Sequence, residues 1–139
     1  MSKTMHISLR AGERIYINGA VIEVDRKVNL ELLNNVVFLL ESHVLQVDET
    51  TTPLRQLYFV LQTILMDPKN AKATHVLFGN VLAATQATFT NDLIVSGLKT
   101  VAHLVEENRA FDALRMIRTL FDTEARILSP ALQNPQHAA

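Results

Sequence analysis

The sequence predicts an α+β protein in which a small antiparallel β-module of about five short strands precedes an antiparallel bundle of about four helices. Two observations predict this fold: apolar residues alternate with a period of two before residue 45, and they recur at helical spacing after residue 53. Hydrophobic residues make up 48% of the 139 residues, which is ample for a packed core. We divide the chain into a β-module, a linker, a helical half and a flexible tail, at 1–47, 48–53, 54–128 and 129–139.

Four segments of the β-module alternate between apolar and polar residues, which is typical of strands buried on one face. These segments are 7–9, 15–17, 22–24 and 28–32. The continuous apolar run 36–40 predicts a fifth strand covered on both faces. Predicted turns lie at 11–12, 18–19, 25–26 and 34–35, and Asn18-Gly19 is the strongest hairpin signal among them. The pattern suggests a small curled sheet or an open barrel, and the helices or a second copy must cover it.

Four helices are predicted in the second half, at 54–66, 71–89, 92–107 and 109–121. Thr52 and Pro53 suit the N-cap and the first position of the first helix, and Asn91 suits the N-cap of the third. The first helix is apolar around most of its circumference, so we expect it to be central. Short connections predict antiparallel neighbours.

No catalytic or metal-binding constellation is apparent. The chain has no cysteine, no Walker loop and no nucleophile elbow, and its histidines do not recur at metal-ligand spacing (His6, His43, His75, His103 and His137). We therefore expect neither an enzyme nor a resident cofactor or metal. The N-terminus lacks the apolar region of a signal peptide, and the longest uncharged run is too polar to span a bilayer. These features predict a cytoplasmic protein with no membrane contact.

The positive charges of the β-module form a candidate RNA-binding surface. Arg10, Arg14, Arg26 and Lys27 fall at predicted turns or outward strand positions, and arginine suits contact with phosphate. Tyr16, which we expect to point outward, would stack a base. The net charge of −1 gives no global basicity, and carboxylates are interleaved at Glu13, Glu23 and Asp25. The alternative is therefore that cross-strand ion pairs keep this face soluble.

A second group of arginines lies on the last predicted helix. Its members are Arg109, Arg115, Arg118 and, beyond the predicted end, Arg126. Arg115 and Arg118 share one helix face, and Asp112 precedes Arg115 by three residues, the spacing of a local ion pair. A solvated face and a surface for a partner protein are both consistent with this pattern.

The chain resembles the FlbT family of flagellin-biosynthesis regulators. The resemblance covers residues 5–65, where the matching text is nearly ungapped from Leu9-Arg10-Ala11-Gly12-Glu13 to residue 59. It continues more loosely at 109–111 and 113–114. The matching segments of the first part are 9–15, 17–20, 24–28, 30–34, 38–41, 43–46 and 51–59. Only the tail falls outside the similarity.

This resemblance implies post-transcriptional control. Members of the family associate with the 5′ untranslated leader of flagellin messenger RNA and typically favour its decay or repress its translation, although in some members regulation is positive. Their usual functional partner is the small regulator FlaF. The alternative reading is a protein-interaction adaptor, or chaperone-like module, that binds FlaF or flagellin and affects RNA only indirectly.

A weaker likeness links residues 8–13 to the opening strand and turn of the CsrA/RsmA regulators. Those proteins are intertwined dimers in which an arginine before a small-Gly-Glu turn contacts RNA, and Arg10 occupies that position here. Leu9 replaces the first arginine of their usual pair, and Arg55 is the nearest match to their second RNA-contacting position. The likeness implies that Arg55 joins the RNA-binding residues and that the chain forms a homodimer.

Overall fold

The structure, a computed structural model, describes residues 5–34, 36 and 38–129, and it confirms the α+β class. Five short strands come first: β1 Met5–Leu9, β2 Arg14–Ile17, β3 Ala20–Glu23, β4 Val28–Leu32 and β5 Phe38–Leu40. Four helices follow: α1 Pro53–Met66, α2 Ala71–Thr88, α3 Asp92–Glu106 and α4 Ala110–Leu128. Single 3-10 turns, which the apolar pattern did not predict, lie at Glu41–His43, Val47–Glu49 and Pro68–Asn70.

The strands form two antiparallel sheets instead of one curled sheet. One sheet pairs β1 with β4, and the other has the order β3-β2-β5. The division follows from hydrogen bonds at the end of β3, where the Val24 N–H donates to the Glu13 carbonyl (3.2 Å) and the Gly12 N–H donates to the Val24 carbonyl (2.7 Å). Val24, the residue after β3, therefore bonds to the turn that follows β1. Strands β3 and β4 do not pair with each other and belong to different sheets.

The hairpin predicted at Asn18-Gly19 is confirmed. Both residues have positive φ, 48° and 85°, as a type I′ turn requires, and they join β2 to β3 in register from Ile17 opposite Ala20 to Arg14 opposite Glu23. Gly12, with φ of 84°, forms the earlier turn. The turn predicted at 34–35 includes Asn35, which lies outside the described residues.

Strand β5 is covered on both faces, as its apolar run predicts. Phe38 joins a small core of the β-module with Ile7, Leu9 and Ile15, whereas its neighbour Leu39 belongs to the large core of the helices. Successive side chains of a strand point to opposite faces. The three-stranded sheet therefore has helices on one side and β1 on the other.

Helix α1 is central and packs against both α2 and α4, with Leu54, Leu57, Tyr58 and Leu61 fully buried. The predicted caps are confirmed: the Thr52 side chain accepts from the Arg55 N–H, and the Asn91 side chain accepts from the N–H groups of Leu93 and Ile94. These three bonds satisfy N–H groups that have no partner within their own helix.

Helix α4 extends to Leu128 and not to residue 121 as the apolar spacing predicted. The added turns contain Glu124, a carboxylate that is only 1% exposed because it bonds to the start of α1. A prediction based on the spacing of apolar residues misses a helical turn whose buried residue is charged. Of the predicted tail, Ser129 closes α4, and the prediction for 130–139 falls outside the described residues.

Candidate nucleic-acid interface

Three of the predicted RNA-binding residues line one cleft. Arg10 follows β1, Arg14 begins β2 and Lys27 precedes β4, and their side chains border a cavity of about 300 Å³. Its other lining residues are Ser8, Leu9, Glu13, Leu40, Glu41 and Ser42. We call this the arginine cleft. The bonds of Val24 to the turn at Gly12 and Glu13 account for its shape, because they bring the turn before β4 close to the turn after β1.

Arg14 forms ion pairs with two carboxylates. Its Nε lies 3.0 Å from Glu23 Oε1, the residue opposite it in the β2–β3 register, and 3.9 Å from Glu41 Oε2. The hydrogen bond to Glu23 raises the pKa of Arg14. The alternative of cross-strand pairing therefore holds at this position, although both partners remain about half exposed.

Arg10 and Lys27 are more accessible. The Arg10 side chain is 86% exposed, and its Nε is 3.6 Å from Glu13 Oε1. The same Glu13 oxygen accepts a shorter hydrogen bond, of 2.6 Å, from the Arg10 backbone N–H. Lys27 makes none of the ion pairs found among the described residues. The positive charge that the cleft offers to an anion is therefore mainly that of these two side chains.

Arg26 lies outside the lining of the cleft. Its Nε and Nη2 atoms are 3.1 and 3.3 Å from the two carboxylate oxygens of Asp25. This hydrogen bonding lowers the pKa of Asp25 and raises that of Arg26. Both side chains are more than three-quarters exposed, so the pair is open to competition by solvent or a ligand.

The expectation that Tyr16 points outward is wrong. Tyr16 is half-buried and packs against the core of the helical half, while its neighbour Ile15 enters the core of the β-module. Strand β2 lies in the middle of the three-stranded sheet and is covered on both faces, so its alternation did not indicate a wet face.

Arg55 does not join the cleft either. It is half-buried in the first turns of α1, and its guanidinium lies over the Phe121 ring, 4.4 Å from the ring centroid. The six predicted residues thus divide into three around the cleft and three elsewhere.

Two arginines of the second group predicted from the sequence border another groove, whose other members the sequence did not indicate. Arg115 and Arg118 of α4 border a groove of about 390 Å³ together with β1, β5, His6 and His43. We call it the α4 groove. The three-residue spacing of the arginines placed them on one face, but the histidines, which looked isolated in the sequence, join them only in the folded chain.

No group of three or more potential metal ligands occurs within the part of the chain that the structure describes. None of the helices in that part combines the length and apolar character needed to cross a membrane.

Comparison with known proteins identifies the family. Residues 5–128 match the profile of the family described as "Flagellar protein FlbT". The chain belongs to the FlbT family. The match covers both the β-module and all four helices of the structure.

Curated relatives agree with this assignment. Proteins from Chelativorans sp. (strain BNC1) and Rhizobium johnstonii are each 52% identical to the chain, over 98% and 93% of its length and over 94% and 87% of theirs. A protein from Agrobacterium fabrum is 48% identical over 97% of this chain and 91% of its own. Each is named "Probable flagellum biosynthesis repressor protein FlbT". No solved structure matches the chain.

Proposed function

We propose that this FlbT-family chain is a non-enzymatic, cytoplasmic repressor of flagellin synthesis. It associates with the 5′ untranslated leader of flagellin mRNA and promotes decay of the transcript or represses its translation. The names of its relatives support the repressor role. The observation that carries the RNA contact is the convergence of Arg10, Arg14 and Lys27 from three separate segments around one cleft.

The carboxylates beside the cleft do not prevent such an association. Exposed ion pairs contribute only about 0–1 kcal/mol, because solvent screens them. Arg14 and Glu23 are each about half exposed, so a phosphate replaces the carboxylate at little cost. Arg10 requires even less rearrangement, since its side chain is 86% exposed. Occlusion of the leader, or its exposure to cellular nucleases, is then sufficient for repression.

The test is a titration of the full chain against a flagellin leader RNA at several salt concentrations. If the three cations contact phosphates of a single strand, the logarithm of the affinity falls with the logarithm of salt with a slope of about 0.7 for each contact. Arg10→Ala is expected to weaken binding by about 1–3 kcal/mol, the range for a lost charge-assisted contact.

Arg126→Ala is the matched control, because Arg126 is an exposed arginine in the last turn of α4, outside the lining of the cleft. A folded Arg10→Ala protein that binds the leader as tightly as the Arg126→Ala protein would contradict the assignment. Circular dichroism of both variants verifies that the fold is retained.

The second candidate function is a protein-interaction adaptor that binds FlaF or flagellin and affects RNA indirectly. Two ion pairs, Arg14 with Glu23 and Arg26 with Asp25, favour the adaptor function. An arginine that is already paired with a carboxylate attracts phosphate less strongly. The same titration separates the two functions. An adaptor shows no affinity for the leader at low salt but forms a stable complex with purified FlaF or flagellin.

We also propose that the chain acts as a homodimer that completes the β-module. Strand β3 pairs only with β2 among the described strands and exposes two apolar side chains, Val21 at 60% and Ile22 at 41%. An apolar edge strand of this kind pairs readily with another chain. Light scattering of the wild type is expected to give the mass of two chains, and Ile22→Lys is expected to give the mass of one.

A further inference from the structure

The α4 groove has an apolar floor and a basic rim. The floor includes Phe38, whose ring centroid lies 4.8 Å from that of Phe111, and the rim carries Arg115 and Arg118 of α4 with His6 of β1 and His43. None of the described residues that line this groove carries a carboxylate. This composition differs from that of the arginine cleft, in which Glu13 and Glu41 lie beside the cations.

The positive charge of the groove is not neutralised within the described chain. Neither Arg115 nor Arg118 takes part in the ion pairs found among the described residues. Arg118 donates from Nη1 to the Tyr58 hydroxyl (2.8 Å), which in turn donates to the His43 carbonyl (2.5 Å). Burial raises the pKa of Tyr58, so its hydroxyl stays neutral and fixes the guanidinium without cancelling its charge.

The groove also runs along an edge of a sheet. Residues 5–8, four consecutive residues of β1, border it. Successive side chains of a strand point to opposite faces, so a cavity lined by a consecutive run follows the strand edge and not one face. Strand β1 pairs only with β4 within the described chain, which leaves the backbone groups of its other edge available. Strand β5, on the far wall of the groove, likewise has only β2 as a neighbour.

We propose that the α4 groove binds an extended segment of a partner protein, in which carboxylates alternate with apolar residues, by adding that segment as a strand to the free edge of β1. Main-chain hydrogen bonds supply affinity in this mode of recognition, and pockets for alternate side chains supply specificity. The apolar residues of the segment lie on the half-buried Phe111, and its carboxylates meet Arg115 and Arg118. Charge complementarity is the argument for the acidic character of this partner.

RNA fits the groove less well. Single-stranded RNA is held by a track of cations and by aromatic faces on which bases stack. The aromatic rings of the groove pack against one another, and Phe38 is only 6% exposed. Among the described residues that line the groove, only Arg115 and Arg118 have a permanent positive charge. The proposal is independent of the function proposed for the arginine cleft, because it concerns a different set of cations, Arg115 and Arg118, and its binding assay uses peptides.

The experiment measures fluorescence anisotropy of two labelled heptapeptides added to the full chain at low salt. One peptide alternates valine with aspartate, and the other has asparagine in place of each aspartate. The aspartate peptide is expected to bind at least tenfold more tightly. Arg115→Gln is expected to weaken its binding about tenfold, which is the effect of losing one charge-assisted contact. Arg126→Gln is the matched control on the same helix and is expected to change nothing.

A second variant and a second readout guard against loss of the fold. Arg118→Gln is expected to weaken the aspartate peptide to a similar degree, and circular dichroism verifies the helices of each variant. Strand addition also makes its own prediction: saturating peptide slows amide hydrogen exchange along Met5–Leu9, as measured by NMR. Slowed exchange confined to the helices would contradict the strand mode.

The proposal is overturned if the aspartate peptide does not bind, or if the two peptides bind with equal affinity. It is also overturned if Arg115→Gln and Arg126→Gln have equal effects. A uridine decamer that displaces the aspartate peptide, and whose own binding is weakened by Arg115→Gln, would likewise contradict it. The last result would make the groove a nucleic-acid site. Self-association that Arg115→Gln abolishes would make a second copy the occupant, which also contradicts the proposal.

Discussion

A buried carboxylate joins the end of α4 to the beginning of α1, and its removal is expected to destabilise the protein. Glu124 accepts from the Thr52 hydroxyl (2.5 Å) and from the Leu54 backbone N–H (2.7 Å), and it is only 1% exposed. Leu54 is fully buried, and Glu124 is the acceptor for its N–H. The bond also places a negative charge at the positive end of the α1 dipole.

The two contacts set the magnitude. A buried donor left without a partner costs about 1–3 kcal/mol, which applies to the N–H of Leu54. The Thr52 hydroxyl is half-buried and regains water, so its loss adds roughly 1 kcal/mol. Glu124→Ala is therefore expected to lower the free energy of unfolding by about 2–4 kcal/mol. Glu124→Gln is expected to cost only about 1 kcal/mol, because its amide oxygen still accepts from Leu54 while the helix end loses a charge.

Urea unfolding followed by far-UV circular dichroism measures these differences for two-state transitions. Glu106→Ala is the matched control, since Glu106 is exposed on α3 and takes part in no ion pair found among the described residues. Its cost is expected to stay within about 0.5 kcal/mol. The reasoning is refuted if Glu124→Ala costs no more than Glu106→Ala, or if Glu124→Gln costs as much as Glu124→Ala.

Two further predictions concern packing and protonation. Gly79→Ala is expected to raise the free energy of unfolding by about 0.5–1 kcal/mol, because a Cβ there meets nothing within 4 Å in a helix interior, whereas Gly97→Ala is expected to lower it, because its Cβ would lie 2.7 Å from Leu120 Cδ1. Urea unfolding compares the pair, and the same sign for both would contradict the packing argument. Burial and the charge of Arg118 lower the pKa of His43 below its ordinary value of 6.5. The folded state therefore favours the neutral imidazole, and the stability that His43 contributes is present above pH 6.5 and is lost as the pH falls below it. Arg118→Gln is expected to raise that pKa in an NMR titration, and an unchanged or lower value would contradict the role of Arg118.

The sequence predicted most of the secondary structure, because the relevant signals are local. Asn18-Gly19 requires positive φ at both positions, and Thr52 and Asn91 act within three residues of their own positions. The end of α4 and the orientation of Tyr16 were predicted wrongly because both depend on tertiary partners. Glu124 extends the helix by bonding to residues more than 60 positions away, and Tyr16 faces inward because the helices cover its sheet.

The same distinction between local and tertiary signals applies to the candidate site. Alternating charge along β2 and β3 indicated that cross-strand pairs were available, and Arg14 with Glu23 forms one. The pattern did not predict which of the positively charged side chains remain accessible to a ligand. Arg10 and Lys27 meet Arg14 through the folding of two turns, and Arg115 and Arg118 acquire His6 and His43 as neighbours only when α4 docks against β1 and β5.

The arginine cleft and the α4 groove have Ser8 and Leu40 in common, so they are neighbours along one edge of β1. Under the two proposals, a strand added to β1 and an RNA leader in the cleft lie against the same residues. Each ligand then changes the affinity of the other by the same factor, since coupling between two sites is reciprocal. Both ligands are anionic, so the expected sign of the coupling is negative. A partner protein that carries such a segment would consequently release the leader, and this provides a physical route by which the supply of a protein controls the repression of a transcript.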